Sequence, residues 1–322
     1  MQQGFTGVAR MALLAQFCSP ACAFQASSGP IEIVPRSAPK PVETPILRVD
    51  SSLVLIPVHV TTEAGSSVAG LKKDDFALFE DGVQQTITHF AQDDAPVSVG
   101  VLLDISGSMK NKMAKASEAA TEFFRFANPE DEFFLVEFNS RARLTVPFTR
   151  DWAGIAAQIA AAKPSGMTAM LDAIHLALGQ MKHAANPRKA LMVVSDGGDN
   201  FSRRSLRELK NTLIEADVQV FALGVFDGDY TVKHSPEERK GPGLLDRVAE
   251  DTGGRTFPLV SLEKLPDIGV EIARELRNQY VLGYTPAGQA SDGKFHRVDL
   301  KLTAPNGELR TYYRQGYYAP GQ

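Results

Sequence analysis

The sequence has little cysteine and no long hydrophobic run. Its 322 residues include two cysteines, Cys18 and Cys22, and both lie close to the N-terminus. We therefore expect the rest of the chain to be stabilised by its hydrophobic core and not by disulfides. No run of about 20 apolar residues is present, so the sequence predicts no transmembrane helix for the mature chain.

Basic residues are too scattered to indicate nucleic-acid binding. Lys and Arg (34) nearly balance Asp and Glu (38), and the formal net charge is -4. Neither a basic block nor an RNP-type aromatic motif is found, and the six histidines show no metal-ligand spacing. Hydrophobic residues make up 43% of the chain, which is typical of a globular protein, and the length indicates one large domain or two.

Residues 1–25 have the layout of a secretory signal peptide. Arg10 precedes the short apolar run MALLAQF, and Ala21 and Ala23 fit an A-x-A cleavage pattern. The alternative is a disordered or buried N-terminus. Residues 26–49 are rich in Ser, Pro and Ala, which predicts an extended linker. We therefore expect an exported protein that is periplasmic, at the cell surface or secreted.

Residues 95–278 alternate between strand and helix patterns. Near-continuous apolar runs occupy 97–103, 132–138, 190–195 and 218–225. Amphipathic helical segments separate them, which predicts a mostly parallel sheet with helices on both faces. Residues 134–148 instead indicate a tight hairpin that places an antiparallel strand at an edge. The predicted fold class is Rossmann-like α/β.

Residues 50–94 and 279–320 have β-type patterns, with turn signals at 81–82 and 292–293. Neither segment has enough strands to bury a core alone. We therefore expect the two segments to pair into one small β-sandwich, with residues 95–278 inserted between them. The alternative is that each segment packs separately on the α/β unit.

The first strand of the α/β unit is followed by alternating polar residues. In the stretch SVGVLLDISGSM (98–109), Asp104, Ser106 and Ser108 follow the apolar run. Ligands bind outside the carboxyl ends of strands in open parallel sheets. A carboxylate and two hydroxyls are hard oxygen ligands, which suit Mg²⁺, Mn²⁺ or Ca²⁺ better than Zn²⁺ or copper. A simple helix cap by Asp104 is the alternative.

A site of about six ligands needs further donors, and two are expected at the same edge. Thr168 lies in the loop of PSGMTAMLDAIH, and Asp196 follows the apolar strand of LMVVSDGGDN. The sequence therefore predicts a divalent-cation site at Asp104, Ser106, Ser108, Thr168 and Asp196.

This pattern resembles the metal-ion-dependent adhesion site (MIDAS) of von Willebrand factor type A (vWA) domains. The flanks GLKKDDFALFEDGVQQTITHF and YVLGYTP resemble those of the VWFA-related proteins common in acidobacteria. The resemblance implies that Ser106, Ser108 and Thr168 bind the metal directly, while Asp104 and Asp196 act mainly through water. Met167 is a departure, because the family usually has a second glycine before the threonine.

The resemblance implies a non-enzymatic module that binds a protein partner through an Asp or Glu placed on the metal, with Mg²⁺ as the first choice. A metal-dependent hydrolase or phosphatase is an alternative, but Ser106 stands where a D-x-D phosphatase pattern has its second Asp. A structural component of an envelope assembly is another. We expect Asp199 to be a loop residue or helix cap, and Asp172 to favour the start of a helix. Loop 226–243 is either a specificity loop or a solvated insertion.

Overall fold

The computed structural model describes residues 53–63, 65–92, 94–225, 236–258, 262–286, 292–303 and 308–320. The predicted signal peptide, the predicted linker and residues 226–235 of the loop 226–243 lie outside the described residues. Within the described part, no helix has both the length and the apolar character needed to cross a membrane.

Strands and helices are numbered here in chain order. The strands are β1 (Val54–Thr62), β2 (Phe76–Glu80), β3 (Val83–Gln85), β4 (His89–Gln92), β5 (Val97–Asp104), β6 (Glu132–Phe138), β7 (Ala142–Thr149), β8 (Arg188–Ser195), β9 (Gln219–Gly224), β10 (Thr256–Pro258), β11 (Tyr280–Tyr284), β12 (Phe295–Leu302), β13 (Leu309–Tyr313) and β14 (Gly316–Tyr318). The helices are α1 (Met113–Phe124), α2 (Trp152–Ala161), α3 (Met170–Met181), α4 (Leu206–Ala216), α5 (Pro236–Ala249) and α6 (Leu265–Arg277).

A six-stranded sheet forms the centre of the α/β unit, in the order β10-β9-β8-β5-β6-β7. Strand β5 pairs in parallel with β6 and β8, and β9 and β10 extend the parallel part. Strand β7 is antiparallel to β6 and closes one edge. The structure therefore confirms the predicted α/β fold and its edge hairpin.

Every residue of β5 is buried, since hydrophobic layers cover both faces of the sheet. One layer packs residues of α1, α2 and α6 against the sheet, and the other packs residues of α3, α4 and α5. Gly100 allows a close approach within β5. A Cβ at this position would lie 2.3 Å from the Phe134 ring and 2.7 Å from Leu191. The strand that leads to the predicted site is therefore held tightly from both sides.

Side-chain caps fix the start of two helices. Ser205 accepts the Glu208 N–H at the start of α4, and the Glu208 carboxylate accepts the Ser205 N–H. This reciprocal capping box satisfies two backbone donors that the helix itself leaves without partners. At α2, the Asp151 carboxylate accepts the Gly154 N–H. These polar residues therefore set where each helix begins.

Helix α6 packs closely on α1 and then leads directly into β11. The contact is close because position 269 is glycine, where an added Cβ would lie 2.2 Å from the Ala119 carbonyl oxygen. Below this contact, Arg277 forms an ion pair with the buried carboxylate of Asp131, which precedes β6. Helix α6 is thus held against the α/β sheet along its length.

The flanking β segments form two four-stranded sheets, in the orders β13-β1-β11-β4 and β14-β12-β2-β3. Each sheet combines strands from before and after the α/β unit, and one hydrophobic cluster contains residues of both sheets. The assignment to a β-sandwich and the domain boundaries at 50–94, 95–278 and 279–320 stay predictions. Residues 309–318 look like one strand in sequence but form β13 and β14, which belong to different sheets.

A histidine links the turn between β2 and β3 to strand β12. The two nitrogens of His296 lie 2.8 Å from an Asp81 carboxylate oxygen and 3.1 Å from an Asp292 carboxylate oxygen. The buried Glu80 carboxylate is the third acidic group beside the ring. Burial alone would lower the pKa of His296, but the hydrogen bonds to Asp292 and Asp81 outweigh it and raise the pKa.

Replacement of Gly269 by alanine is expected to destabilise the protein by about 3 kcal/mol, because backbone atoms of α1 leave no room for a Cβ. The matched control is Gly179→Ala in α3, where nothing lies within 4 Å of an added Cβ. This control is expected to raise the free energy of unfolding by about 0.5–1 kcal/mol, because alanine is the better helix former. Urea unfolding of the two variants measures both effects. Equal changes in the free energy of unfolding would contradict the close contact between α6 and α1.

His296 is expected to make stability depend on pH. Its pKa is raised in the folded protein, so its ion pairs contribute fully below the unfolded pKa of about 6.5. The contribution is lost as the pH rises through the folded pKa. His296→Asn should therefore lower the melting temperature clearly at pH 5.5 and less at pH 8.5. The control is His183→Asn at an exposed histidine, and a His296 difference that is constant across this range would refute the prediction.

Candidate metal-binding site

Two carboxylates lie at the carboxyl ends of neighbouring parallel strands. Asp104 is the last residue of β5, and Asp196 directly follows β8. Asp104 is 0% exposed and Asp196 is 1% exposed. Because β5 and β8 pair in parallel, the sheet brings both groups to the same edge.

Hydrogen bonds hold the Asp104 carboxylate from two sides. The Ser106 N–H donates to Oδ1 at 2.8 Å, and the Ser195 hydroxyl donates to Oδ2 at 2.6 Å. The hydroxyl oxygens of Ser106 and Ser108 lie 3.0 Å apart. The two predicted serine ligands are therefore neighbours, and a fixed carboxylate lies behind them.

Backbone hydrogen bonds attach the Thr168 loop to the loops on either side of it. The Ser165 N–H donates to the Ile105 carbonyl at 2.8 Å, and the Gly107 N–H donates to the Gly166 carbonyl at 3.0 Å. On the other side, the Thr168 N–H donates to Oδ1 of Asn200 at 2.9 Å. Thr168 is 4% exposed. The structure therefore places all five residues of the predicted site at one edge of the sheet, with Asp104 at the end of β5 and the other four on three adjoining loops.

A buried lysine shares this edge with the carboxylates. Nζ of Lys112 lies 3.3 Å from Oδ2 of Asp196, and both side chains are 2% exposed. Burial, followed by the negative charge of Asp196, raises the pKa of Asp104 to about 7. Two carboxylates and one ammonium group leave this edge with excess negative charge when both carboxyls are ionised. The site therefore favours a cation.

The donor set fits a hard divalent cation. It consists of two serine hydroxyls, a threonine hydroxyl and two carboxylates, and oxygen ligands of this kind are those that Mg²⁺ and Ca²⁺ take in proteins. Mg²⁺ commonly binds through one or two carboxylates and retains water. Ser106, Ser108, Thr168, Asp104 and Asp196 are thus the residues that would hold such an ion.

Sequence reasoning missed three contributors: Lys112, Ser195 and Asn200. Lys112 lies four residues after Ser108, a spacing that brings it back toward the site once the chain becomes helical. Ser195 directly precedes Asp196, and its hydroxyl faces Asp104 because β5 and β8 are neighbours. Asn200 gives no signal of its own in the sequence.

The carboxylates of Asp199 and Asp172 have structural partners. Asp199 accepts the N–H of Met170, the first residue of α3, at 3.3 Å, and it therefore acts at that helix start. Asp172 in the first turn of α3 accepts the backbone N–H groups of Arg203 and Arg204 at 3.1–3.2 Å. Both carboxylates thus connect α3 to the loop that follows β8.

The fold and the site define a class of protein: an α/β domain with oxygen-bearing loops at the carboxyl edge of a parallel sheet. Residues 99–198 match the family model of the von Willebrand factor type A domain. The chain therefore contains a vWA domain, and the match runs from Val99 in β5 to Gly198, three residues past the end of β8, which includes all five residues of the predicted site.

The chain is similar to several known proteins. A UPF0353 protein of Mycolicibacterium paratuberculosis (strain ATCC BAA-968 / K-10) is 25% identical over 208 residues, which are 58% of this chain and 62% of the relative. The chain thus spans less than two thirds of that relative's length. A von Willebrand factor type A structure from Catenulispora acidiphila matches with a TM-score of 0.48 and 14% identity, over 76% of this chain and 72% of that one. The conserved hypothetical protein BatB from Bacteroides thetaiotaomicron matches with a TM-score of 0.45 and 21% identity, over 56% and 100% of the two chains.

Replacement of Lys112 by methionine is expected to destabilise the metal-free protein by about 3–5 kcal/mol, because it removes the ammonium group that lies 3.3 Å from the buried Asp196 carboxylate. Lys115→Met is the control, since the ion pairs of Lys115 with Glu118 and Glu263 are partly exposed. The control should change the free energy of unfolding much less than Lys112→Met, because water screens exposed ion pairs. Chemical unfolding in EDTA measures both variants, and equal losses would count against the role assigned to Lys112.

Proposed function

We propose that the protein is an exported, non-enzymatic module that recognises an acidic residue of a partner protein through a bound divalent cation. Asp104, Ser106, Ser108, Thr168 and Asp196 would hold the ion. Mg²⁺ is the metal we propose, with Mn²⁺ and Ca²⁺ as alternatives. The observation that supports this most is the convergence of these five oxygen-bearing residues on one sheet edge within a vWA domain.

The charge of the site supports recognition of an anion. Asp104 and Asp196 carry two negative charges when ionised, and Lys112 carries one positive charge. A divalent cation changes the local sum from about -1 to about +1. Because the serine and threonine ligands are neutral, they leave this positive charge uncompensated. A carboxylate from a partner is a hard oxygen ligand of opposite charge, and it suits such an ion.

The environment of Asp104 favours binding over hydrolysis. In a phosphatase of the D-x-D type, a carboxylate at this strand end would have to reach the substrate. Asp104 is 0% exposed, and both of its oxygens accept hydrogen bonds from Ser106 and Ser195. This supports a role in positioning and charge and not in nucleophilic attack.

Metal binding is tested by thermal unfolding of the full chain with Mg²⁺ or EDTA. At 100 times the dissociation constant, Mg²⁺ should stabilise the wild type by about 2.7 kcal/mol. Asp104→Asn and Asp196→Asn should respond far less, since each removes a negative charge from the site. Asp299→Asn is the control, because Asp299 is a partly exposed carboxylate on β12. A full response of Asp104→Asn to Mg²⁺ would argue against the site.

The binding function is tested by partner capture from the envelope fraction of the source organism, with Mg²⁺ or with EDTA. The wild type should retain a partner only with Mg²⁺, and Asp104→Asn should not retain it. If the partner is retained equally well in EDTA and by Asp104→Asn, the result would favour a structural role. Turnover of a panel of phosphate and ester substrates that disappears in Asp104→Asn would instead support the hydrolase alternative.

A further inference from the structure

The loops around the metal-binding residues expose charge of one sign. We define the site face as residues 105–112, 139–141, 162–169 and 196–205. Within these described loops, the exposed charged side chains are all basic: Lys110, Arg141, Lys163, Arg203 and Arg204. The acidic residues of the same loops, Asp196 and Asp199, are buried and half-buried. The site face is therefore positively charged although the whole chain has a net charge of -4.

The same face exposes two large apolar side chains. Met167 is 46% exposed and Phe201 is 51% exposed. The other large hydrophobic side chains that are exposed among the described residues lie outside the site face, at Leu53, Leu55, Val83, Phe126, Phe295 and Tyr318. The apolar surface on this face is thus concentrated at Met167 and Phe201.

Both apolar residues adjoin a predicted metal ligand. Met167 precedes Thr168 in the chain, and the Phe201 N–H donates to the Thr168 carbonyl at 2.9 Å. Met167 is held in turn by its own N–H, which donates to the Ser140 hydroxyl at 2.9 Å. Backbone contacts therefore hold both of these residues next to Thr168.

The hydrophobic core does not explain why Met167 and Phe201 are apolar, because both side chains are about half exposed. The hydrogen bonds that join these residues to the neighbouring loops use backbone N–H groups, which a residue with a polar side chain also has. Two large apolar groups exposed on loops that adjoin Thr168 offer apolar surface to another molecule at this point. Their place beside a ligand of the proposed ion means that a bound partner would cover them.

We propose that the partner presents an acidic segment in which the metal-binding Asp or Glu has a large apolar neighbour. This inference rests on the proposed function. The carboxylate would bind the ion, the apolar side chain would pack on Met167 and Phe201, and further acidic residues would face Arg203 and Arg204. The basic residues give attraction over about a Debye length, while the apolar contact distinguishes one acidic segment from another.

The experiment uses the full chain and an array of synthetic peptides with a central Asp. The residues beside the Asp are Leu or Ser, and the outer residues are Glu, Ser or Lys. Binding is measured with Mg²⁺ and with EDTA. We expect metal-dependent binding that requires the Asp, that is about tenfold stronger with Leu than with Ser, and that weakens from Glu to Lys at the outer positions.

Two variants separate the apolar and the charged contributions. Met167→Ser/Phe201→Ser should remove the preference for Leu over Ser, while the stabilisation by Mg²⁺ stays as in the wild type. Arg203→Glu/Arg204→Glu should remove the preference for outer Glu. The controls are Val83→Ser and Arg297→Glu, which change exposed residues on the flanking β strands. Both controls should bind the array as the wild type does.

Each outcome supports or overturns the inference. If binding requires Asp and metal but is equal for Leu and Ser, the inference is wrong and the proposed function stands. If no peptide binds in a metal-dependent way, both are wrong. Vesicles of phosphatidylcholine and phosphatidylglycerol are tested in parallel. Vesicle binding that resists EDTA and is lost in Arg203→Glu/Arg204→Glu, without peptide binding, would assign the basic face to anionic lipid.

Discussion

The burial of two carboxylates at neighbouring strand ends is the constraint on which the rest of this site depends. Charged groups out of water are costly unless other charges and hydrogen bonds compensate them. Asp104 receives two hydrogen bonds and Asp196 receives an ammonium group, yet burial and the neighbouring charge still raise the pKa of Asp104 to about 7. A cation bound at this edge of the sheet would therefore stabilise the two buried carboxylates.

The surrounding packing keeps this edge in place. Strand β5 is buried along its whole length, and Gly100 lets the Phe134 ring and Leu191 press directly on its backbone. The two hydrophobic layers hold the sheet from both faces. Because the strands are rigid, the positions of their carboxyl ends are rigid as well. The loops that follow can then be joined by backbone hydrogen bonds and need no core of their own.

Local sequence was sufficient to predict the parallel sheet and the placement of five oxygen-bearing residues at one of its edges, because buried strands and the oxygen donors after them have distinct patterns. Lys112 and Ser195 could not be predicted in the same way, since their roles depend on which strand ends become neighbours in three dimensions. The division of residues 309–318 into β13 and β14 has a similar reason. The alternation of polar and apolar residues indicates a strand, but the sheet to which the strand belongs depends on the strands with which it pairs. Met167, which departs from the family pattern, is exposed in the structure next to Thr168.

The chain leaves the flanking β strands at β4 and returns to them at β11, and these two strands pair with each other in antiparallel register, with Ala91 opposite Val281. The whole α/β unit therefore begins and ends at one point of one sheet, as the loop of a very long hairpin does. Noncovalent contacts also join the two parts, such as the Asp217–Arg314 ion pair and the contact between His59 and Glu275. A mechanical load that acts on the metal-binding edge would therefore be shared between the two chain connections at β4 and β11 and these side-chain contacts.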